Sequence, residues 1–252
     1  MNVKSVNDVE IAVTELGDPD GFPVLLVHGF ASNAQRNWVD AGWGSAFTEA
    51  GLRGVALDLR GHGHSSKPKS GYPVSAFFDD VTAVLDAYQL HGCGYLGYSM
   101  GARLGWRYAG QHPEAFARCV FGGLPSTDPF EGLDAELARA ILSGADTEHA
   151  SVAARIVRMA RAFPENDPDA LLALAVEVAQ TPFRPAAAVP AMPVLLATGD
   201  RDDIAPDSEA LLPFLESGSF LPIPGRNHIN AVTSRLFKSA ASGFLATGTF
   251  PE

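Results

Sequence analysis

Hydrophobic positions along the chain follow two distinct patterns. Residues 23–27 are a continuous apolar run, which is typical of a strand buried on both faces. Residues 54–59 and 193–198 are also apolar apart from Asp58 and Thr198, and we interpret them as strands too. Between residues 75 and 92, by contrast, apolar side chains recur every three or four positions, as they do on one face of a helix. Runs with strand character alternate with helical stretches along most of the chain, which predicts a mainly parallel sheet with helices on both faces.

Shorter apolar or alternating segments complete the predicted sheet. The eight predicted strands are residues 3–6, 10–16, 23–27, 54–59, 93–96, 116–124, 193–198 and 219–223. The pattern changes between residues 125 and 190, where strand-like runs give way to helical stretches at 134–142, 147–163 and 167–180. We therefore predict an α/β core formed by residues 1–124 and 191–252, with a helical cap, residues 125–190, inserted after the sixth strand.

Composition narrows the class of protein. The 252 residues are 46% hydrophobic and 19% charged, and no apolar run approaches the ~20 residues needed to cross a bilayer. Eighteen basic against 29 acidic residues give a formal charge of -11, which argues against a nucleic-acid partner. Cys93 and Cys119 lie in apolar segments as expected for buried cysteines, and neither disulfide nor zinc spacing is present. The polar N-terminus shows no signal-peptide pattern. Because nothing suggests a disulfide framework, we expect a reducing, cytoplasmic setting, and we expect no membrane span.

One pentapeptide indicates chemistry. Gly97-Tyr98-Ser99-Met100-Gly101 lies between a short apolar run and a helical pattern, which is the setting of a GxSxG nucleophile elbow. Side chains at the two glycine positions would collide with neighbouring backbone in so sharp a turn. Ser99 would then project beside a helix N-terminus, where the Met100 amide can donate to a developing oxyanion.

Partners for this serine are expected in the loops that follow other strands, because ligands bind at the carboxyl ends of parallel strands. The loop after residue 198 holds Asp200, Asp202 and Asp203, and the loop after residue 223 holds His228. A serine hydroxyl is a poor nucleophile near neutral pH, a histidine can accept its proton, and a carboxylate fixes the tautomer of that histidine. The spacing leaves the choice among the three aspartates open.

The order of motifs resembles the α/β-hydrolase superfamily over essentially the whole chain. The matching segments are His28-Gly29-Phe30, residues 58–65, the pentapeptide 97–101, residues 199–206, and His228. Two small departures are Asn227, where glycine is more common, and Ala102, where a second glycine often follows the elbow. Neither departure removes a reacting group.

The resemblance implies roles for particular residues. Ser99 would be the nucleophile, His228 the general base and acid, and Asp202 the catalytic acid, since the family places that acid three residues after the glycine and four before the proline. Asp203 and then Asp200 are the alternatives. The amides of Phe30 and Met100 would form the oxyanion hole.

Substrate contacts are expected on both sides of the cleft. The Phe30 side chain would line the acyl pocket, while Phe130, Met159 and Phe163 are expected to pack within the cap, with one or two of them facing the substrate.

Other polar residues are expected to be structural or solvated. His62 and His64 could be metal ligands, but a glycine-rich loop without a carboxylate or cysteine partner favours a structural role, and His28 is expected to orient its own loop. Arg155, Arg158 and Arg161 recur every third residue and could meet an anionic substrate, although a solvated helix face is the commoner arrangement.

Together these features predict a serine hydrolase acting on a small-molecule ester, without a cofactor or a metal, as a monomer or homodimer. The same residues would also serve thioesters, lactones, carbon–carbon bond hydrolysis of diketones, or perhydrolysis. Dehalogenase and epoxide hydrolase activity is disfavoured because such relatives have aspartate at the position of Ser99. A non-catalytic small-molecule receptor of the same fold is a further alternative.

Overall fold

A computed structural model describes residues 1–146 and 151–251. An eight-stranded sheet runs through the molecule. Its strands β1 to β8 are Asn2–Lys4, Glu10–Gly17, Phe22–Val27, Leu52–Leu57, Cys93–Tyr98, Phe116–Gly122, Val194–Gly199 and Gly218–Ile223. The spatial order is β1-β2-β4-β3-β5-β6-β7-β8. The β1–β2 and β2–β4 pairs are antiparallel, and all the other pairs are parallel. The predicted eight-stranded, mostly parallel α/β sheet is confirmed.

Seven α-helices accompany the sheet in the described ranges. Helices α1 to α7 are Trp43–Glu49, Val74–Ala87, Met100–Gln111, Ala135–Leu142, Val152–Ala160, Pro168–Ala179 and Arg235–Thr247. A short π-helical turn spans Gln35–Val39, and 3₁₀ turns span Val6–Asp8, Pro185–Ala187, Ser208–Phe214 and Ala231–Thr233. Within the part of the chain that the structure covers, every helix is too short or too polar to cross a bilayer.

Both faces of the sheet are covered, because successive side chains of a strand point in opposite directions. In β3, Leu25 and Val27 face a core shared with α2 and α3, whereas Val24 and Leu26 face a second core shared with α1 and α7. All four of these side chains are fully buried, which explains why the strand is apolar throughout.

Residues 125–190 follow β6, as predicted, and their described part contains helices α4, α5 and α6 without a strand. Asp134 and Asp167 cap α4 and α6 by accepting hydrogen bonds from two backbone amides each. The helix predicted over residues 147–163 is shorter, since α5 begins after its cap Ser151, and residues 147–150 lie outside the described ranges. The assignment of this segment as a separate cap domain stays a prediction.

Some predicted helix boundaries differ from the structure. Ser75 does not cap α2, which begins one residue earlier after Pro73 and has no side-chain cap. The segment after β7 forms 3₁₀ turns over Ser208–Phe214, since Pro213 inside it cannot donate the hydrogen bond an α-helix requires. The closing helix begins at Arg235 because the Ser234 hydroxyl accepts the Phe237 amide.

A buried ion pair joins the helical segment to the sheet domain. Arg103 on α3 pairs with Asp128 at 2.9 Å and also donates to the carbonyl of Thr181. Asp128 in turn accepts the backbone amides of Phe130 and Phe183. The two ends of the segment, near residues 128 and 181–183, are therefore fastened to the helix that follows Ser99.

Candidate active site

Ser99 occupies a tight turn between β5 and α3. Its backbone angles, φ 53° and ψ -113°, are unusual for a residue with a side chain. A Cβ atom at Gly97 would stand 2.7 Å from the Ala102 amide nitrogen, and one at Gly101 would stand 2.1 Å from the carbonyl oxygen of Val27. Both glycines are thus required by close backbone approach, as the pentapeptide predicted.

The structure brings Ser99, His228 and Asp202 together from three separate loops. The Nε2 atom of His228 lies 2.9 Å from the Ser99 hydroxyl oxygen, and its Nδ1 lies 2.8 and 3.0 Å from the two carboxylate oxygens of Asp202. A carboxylate only accepts hydrogen bonds, so Nδ1 carries the imidazole proton and Nε2 is left to accept the hydroxyl proton. This is the arrangement in which a histidine can act as a base toward serine.

Asp202 is distinguished from its neighbours by burial and by its contacts. Its side chain is 3% exposed and accepts the amides of Ile204 and Ala205 in addition to the imidazole. Burial alone would raise the pKa of this carboxyl, but the hydrogen bond and charge of His228 and the two amides outweigh it and lower the pKa. Asp203 is exposed, and Asp200 accepts the Gly225 amide 2.7 Å away.

The loop after β3 lies directly against the serine. A Cβ atom at Gly29, the residue before Phe30, would stand 3.2 Å from the Ser99 Cβ and 3.7 Å from its hydroxyl oxygen. Met100 opens α3, where amides lack intrahelical acceptors. Across the described residues, the amides of Phe30 and Met100 donate to no other group of the chain. Both are available to an oxyanion.

Two buried histidines fix this loop. His28 accepts the Leu59 amide through Nε2 and donates through Nδ1 to its neighbouring carbonyl, while His62 accepts the Ala31 amide and donates to the carbonyl of Arg60. Burial lowers the pKa of both imidazoles, and that of His62 falls further beside His28. The structural role predicted for His28 and His62 is confirmed. Within the described ranges, no group of three or more His, Cys, Asp or Glu side chains is placed to hold a metal ion.

Two cavities meet at Ser99. The smaller, here named the narrow arm, has a volume of ≈ 30 Å³, and the larger, named the wide arm, has a volume of ≈ 450 Å³. Phe30 and Met159 line both arms, Phe130 lines the narrow arm, and Phe163 lines the wide arm. Phe30 and all three cap residues therefore lie at the cleft, where only one or two of the cap residues were expected, although Phe130 is also part of the hydrophobic core.

Sequence reasoning missed several residues at the site. Arg155 lines the narrow arm and donates to the carbonyl of Pro129, so the solvated face favoured for the three arginines does not hold for it; Arg158 is exposed. The way α5 lies over Ser99 decides which of these arginines faces the cleft. The three-residue spacing in the sequence does not reveal this. Tyr98 donates to the carbonyl of His228, and the Asn227 side chain accepts the amides of Ile229 and Asn230, which shapes the histidine loop.

Comparisons with known proteins agree with this architecture. A family profile described as alpha/beta hydrolase fold matches residues 23–145. The structure also aligns with that of a thermophilic esterase from Thermogutta terrifontis with a TM-score of 0.75, over 96% of this chain and 95% of that one, at 20% sequence identity. The chain has the α/β-hydrolase fold.

Sequence relatives match only part of this chain. It is 38% identical to a non-heme chloroperoxidase of Kitasatospora aureofaciens over 104 residues, which are 41% of this chain and 36% of the relative. It is 35% identical to epoxide hydrolase B of Mycobacterium tuberculosis over 119 residues, or 46% of this chain and 31% of the relative. The matched part spans less than half the length of these relatives, so their names do not fix the activity of this chain.

Proposed function

We propose that the protein is a serine hydrolase that cleaves a small carboxylic ester through an acyl-enzyme on Ser99. The observation that supports this most directly is the continuous contact from the Ser99 hydroxyl through His228 to Asp202, with distances of 2.9 and 2.8 Å. Such contacts between nucleophile, base and orienting carboxylate are the geometric signature of nucleophilic catalysis.

In the first half of the proposed reaction, Ser99 Oγ attacks the ester carbonyl carbon while Nε2 of His228 takes the hydroxyl proton. The carbonyl oxygen becomes an oxyanion and accepts the amides of Phe30 and Met100; one such donor is worth on the order of 3 kcal/mol of transition-state stabilisation. The buried Asp202 stabilises the imidazolium. The carbon–oxygen bond to the alcohol then breaks, and the imidazolium protonates the departing alkoxide.

In the second half, a water molecule replaces the alcohol. His228 Nε2 takes a proton from this water as its oxygen attacks the acyl carbon. The bond from that carbon to Ser99 Oγ breaks, Oγ regains its proton from the imidazolium, and the carboxylic acid leaves. The balance is one ester and one water consumed for one acid and one alcohol released.

A fluorophosphonate probe tests the proposal, because an activated serine displaces fluoride from phosphorus and retains the phosphonyl group. We expect labelling of Ser99 in the wild-type protein, shown by peptide mass spectrometry, and none in Ser99→Ala. The variant should also lose at least about 10⁴-fold in kcat/KM on p-nitrophenyl acetate. Well-folded wild-type protein that takes up no label would contradict the proposal.

Related reactions on the same residues are separated by substrate. Thioesters, lactones, a diketone and an ester supplied with hydrogen peroxide, assayed beside p-nitrophenyl esters, would identify thioesterase, lactonase, carbon–carbon hydrolase or perhydrolase activity. A receptor would instead bind a ligand saturably without turnover, and Ser99→Ala would leave that binding unchanged.

We also propose that residues 125–190 act as a cap over the cleft. Met159 of α5 lines both arms beside Ser99, and Arg155 and Ile156 of the same helix line the narrow arm, which supports this role. A cap of this kind favours moderate-sized substrates over polymers or emulsions. Rapid hydrolysis of long-chain triglyceride emulsions would contradict it.

A further inference from the structure

The two arms of the cleft share few walls. Among residues 1–146 and 151–251, only Phe30 and Met159 line both arms besides Ser99 and His228. The reacting groups must be common to both arms, because the ester bond lies between its two substituents. Phe30 and Met159 are therefore the side chains that separate the arms.

Phe30 and Met159, here named the partition, are each fixed by contacts with neighbouring side chains. The Phe30 ring makes edge contacts with Phe130 and His62, at centroid distances of 5.5 and 6.0 Å. Met159 lies on α5 and is half-buried, and packs against the core cluster that includes Phe30. Phe30 also belongs to the proposed oxyanion loop, whereas Met159 contributes only its side chain. Met159 is thus the half of the partition that can be changed without disturbing the reacting groups.

Contacts beyond Met159 fasten the end of α5 to the loop after β3. The Asn166 amide group donates to the carbonyls of Ala31 and Ala160. The Arg36 guanidinium lies 3.7 Å from the centre of the Phe163 ring and pairs with Glu165. Met159 is therefore mounted on a helix tied to the sheet domain.

The arms differ in size and in access to solvent. A cavity of ≈ 30 Å³ holds about two water-sized groups, since one such group needs roughly 10–15 Å³ by this measure. The wide arm, at ≈ 450 Å³, lies in the usual range for small-molecule sites. Its rim includes Ile229, which is 70% exposed, and the exposed Thr233.

Access to solvent indicates which arm holds the acyl group of an ester and which arm holds its alcohol. The alcohol leaves first and water must then reach the acyl carbon, so the leaving side has to open to solvent, as the wide arm does. The acyl group stays attached to Ser99 during this exchange and can occupy the narrow arm, which has no exposed residue in its lining. Here each additional methylene would overlap the partition or the walls formed by Phe130 and Ile156.

We propose that Met159 is a specificity-determining residue that, together with Phe30, limits the acyl group to about two carbons while the wide arm accepts a larger apolar alcohol. The substrate class is therefore short-chain acyl esters of extended apolar alcohols. This inference rests on the proposed ester hydrolysis at Ser99.

Two substrate series test the inference. In the first, the acyl group of a p-nitrophenyl ester is lengthened from acetyl to octanoyl; in the second, the alcohol of an acetate ester is lengthened from ethyl to octyl. For the wild type we expect kcat/KM to fall at least about tenfold between acetyl and hexanoyl, a loss of the size that hydrophobic pockets produce. Lengthening the alcohol should leave kcat/KM equal or higher.

Variants then locate the cause. Met159→Ala should raise kcat/KM for the hexanoyl ester at least about tenfold and leave the alcohol series with its wild-type slope. Met159→Leu, which keeps the volume of the partition, should retain the wild-type acyl profile. Phe163→Leu, which alters only the wide arm, should change the alcohol series and not the acyl series.

Several results would overturn the inference. These are equal tolerance of long acyl and long alcohol groups in the wild type, a Met159→Ala effect of equal size in both series, or loss of the acyl preference in Met159→Leu. Fluorophosphonate labelling distinguishes failure of the acyl limit at Met159 from failure of the proposed ester hydrolysis at Ser99. Labelled Ser99 with a symmetric profile rejects only the partition, whereas absence of labelling and turnover in folded protein rejects the ester hydrolysis as well.

Discussion

At the scale of single residues, the turn at Ser99 depends on the absence of side chains at Gly97 and Gly101. Ser99 has a positive φ, and next to it β3 approaches α3 so closely that a methyl group at position 101 would overlap the Val27 carbonyl. The reactive hydroxyl is therefore presented by the contact between a strand and a helix as much as by the residue itself.

This contact gives a prediction for Gly101→Ala. The added Cβ would stand 2.1 Å from the Val27 oxygen, so β3 or α3 must move, and we expect a loss of roughly 3 kcal/mol or more in the free energy of unfolding together with loss of fluorophosphonate labelling. Urea denaturation measures the first effect. Gly243→Ala is the matched control, because a Cβ there meets nothing within 4 Å and alanine in α7 should stabilise by about 0.5–1 kcal/mol. Equal stability of the two variants would contradict the prediction.

The three aspartates after β7 provide a second residue-scale prediction. Asp202→Asn keeps the shape of the side chain but lets its amide donate, which favours the wrong tautomer of His228, so kcat should fall by about 10³–10⁴-fold. Asp203→Asn should keep activity within about twofold, because this side chain is exposed. Steady-state kinetics on p-nitrophenyl acetate compares the variants. Comparable losses in both would argue against Asp202 as the orienting carboxylate.

Residue chemistry was predictable where a motif dictates geometry. The glycines of the elbow, the serine and the histidine follow from steric and chemical requirements that the sequence displays. The acid among Asp200, Asp202 and Asp203 did not follow from spacing alone, because only the direction of the loop decides which carboxylate is buried against the imidazole. Arg155 was missed for a similar reason: its contact depends on how α5 lies over the cleft.

At the scale of elements, the Arg103–Asp128 pair controls how residues 125–190 are attached. Asp128→Asn removes the counter-charge of a fully buried guanidinium, and we expect a loss of about 3–5 kcal/mol in the free energy of unfolding. Amide hydrogen exchange should quicken first at Phe183, whose amide Asp128 accepts. Glu131→Gln is the control, since its pair with Arg184 is 3.6 Å long and more than half exposed, and should change stability by less than about 0.5 kcal/mol. Similar stabilities for Asp128→Asn and the control would show that the Arg103–Asp128 pair contributes little to the free energy of unfolding.

Helix and strand positions were predictable to different degrees. Strands buried on both faces have an apolar sequence that fixes their number and order along the chain, and the helix caps Asp134 and Asp167 mark helix starts directly. The order of the strands within the sheet was not predictable in this way, because β4 lies between β2 and β3 through contacts that no local sequence pattern encodes. The predicted cap at Ser75 was wrong since Pro73 already sets the first turn of α2.

At the scale of the whole molecule, stability should depend on pH through His28 and His62. Burial lowers the pKa of each below the ordinary ~6.5, and each Nε2 already accepts a backbone amide. Below pH ~6.5 the unfolded chain therefore binds more protons than the folded chain, so the free energy of unfolding falls as the pH is lowered through this window. Each histidine contributes a slope of up to about 1.4 kcal/mol per pH unit.

Urea denaturation between pH 5 and 8 measures this slope. His62→Gln should be less stable than the wild type at pH 8 but should show a shallower decline toward pH 5. His91→Gln, which changes an exposed imidazole, should retain the wild-type slope. A wild-type curve that is flat between pH 5 and 7 would mean that the two buried imidazoles accept protons without unfolding.

The contacts of Arg103 with Asp128 and Thr181, which fasten both ends of the helical segment, have a consequence for chimeras made with other proteins of this fold. A chimera that exchanges residues 125–190 for the corresponding piece of another such protein would leave Arg103 in the scaffold, four positions beyond the nucleophile, with neither Asp128 nor the Thr181 carbonyl to receive it. A graft that carries position 103 together with the segment should therefore be more stable than one that exchanges the segment alone.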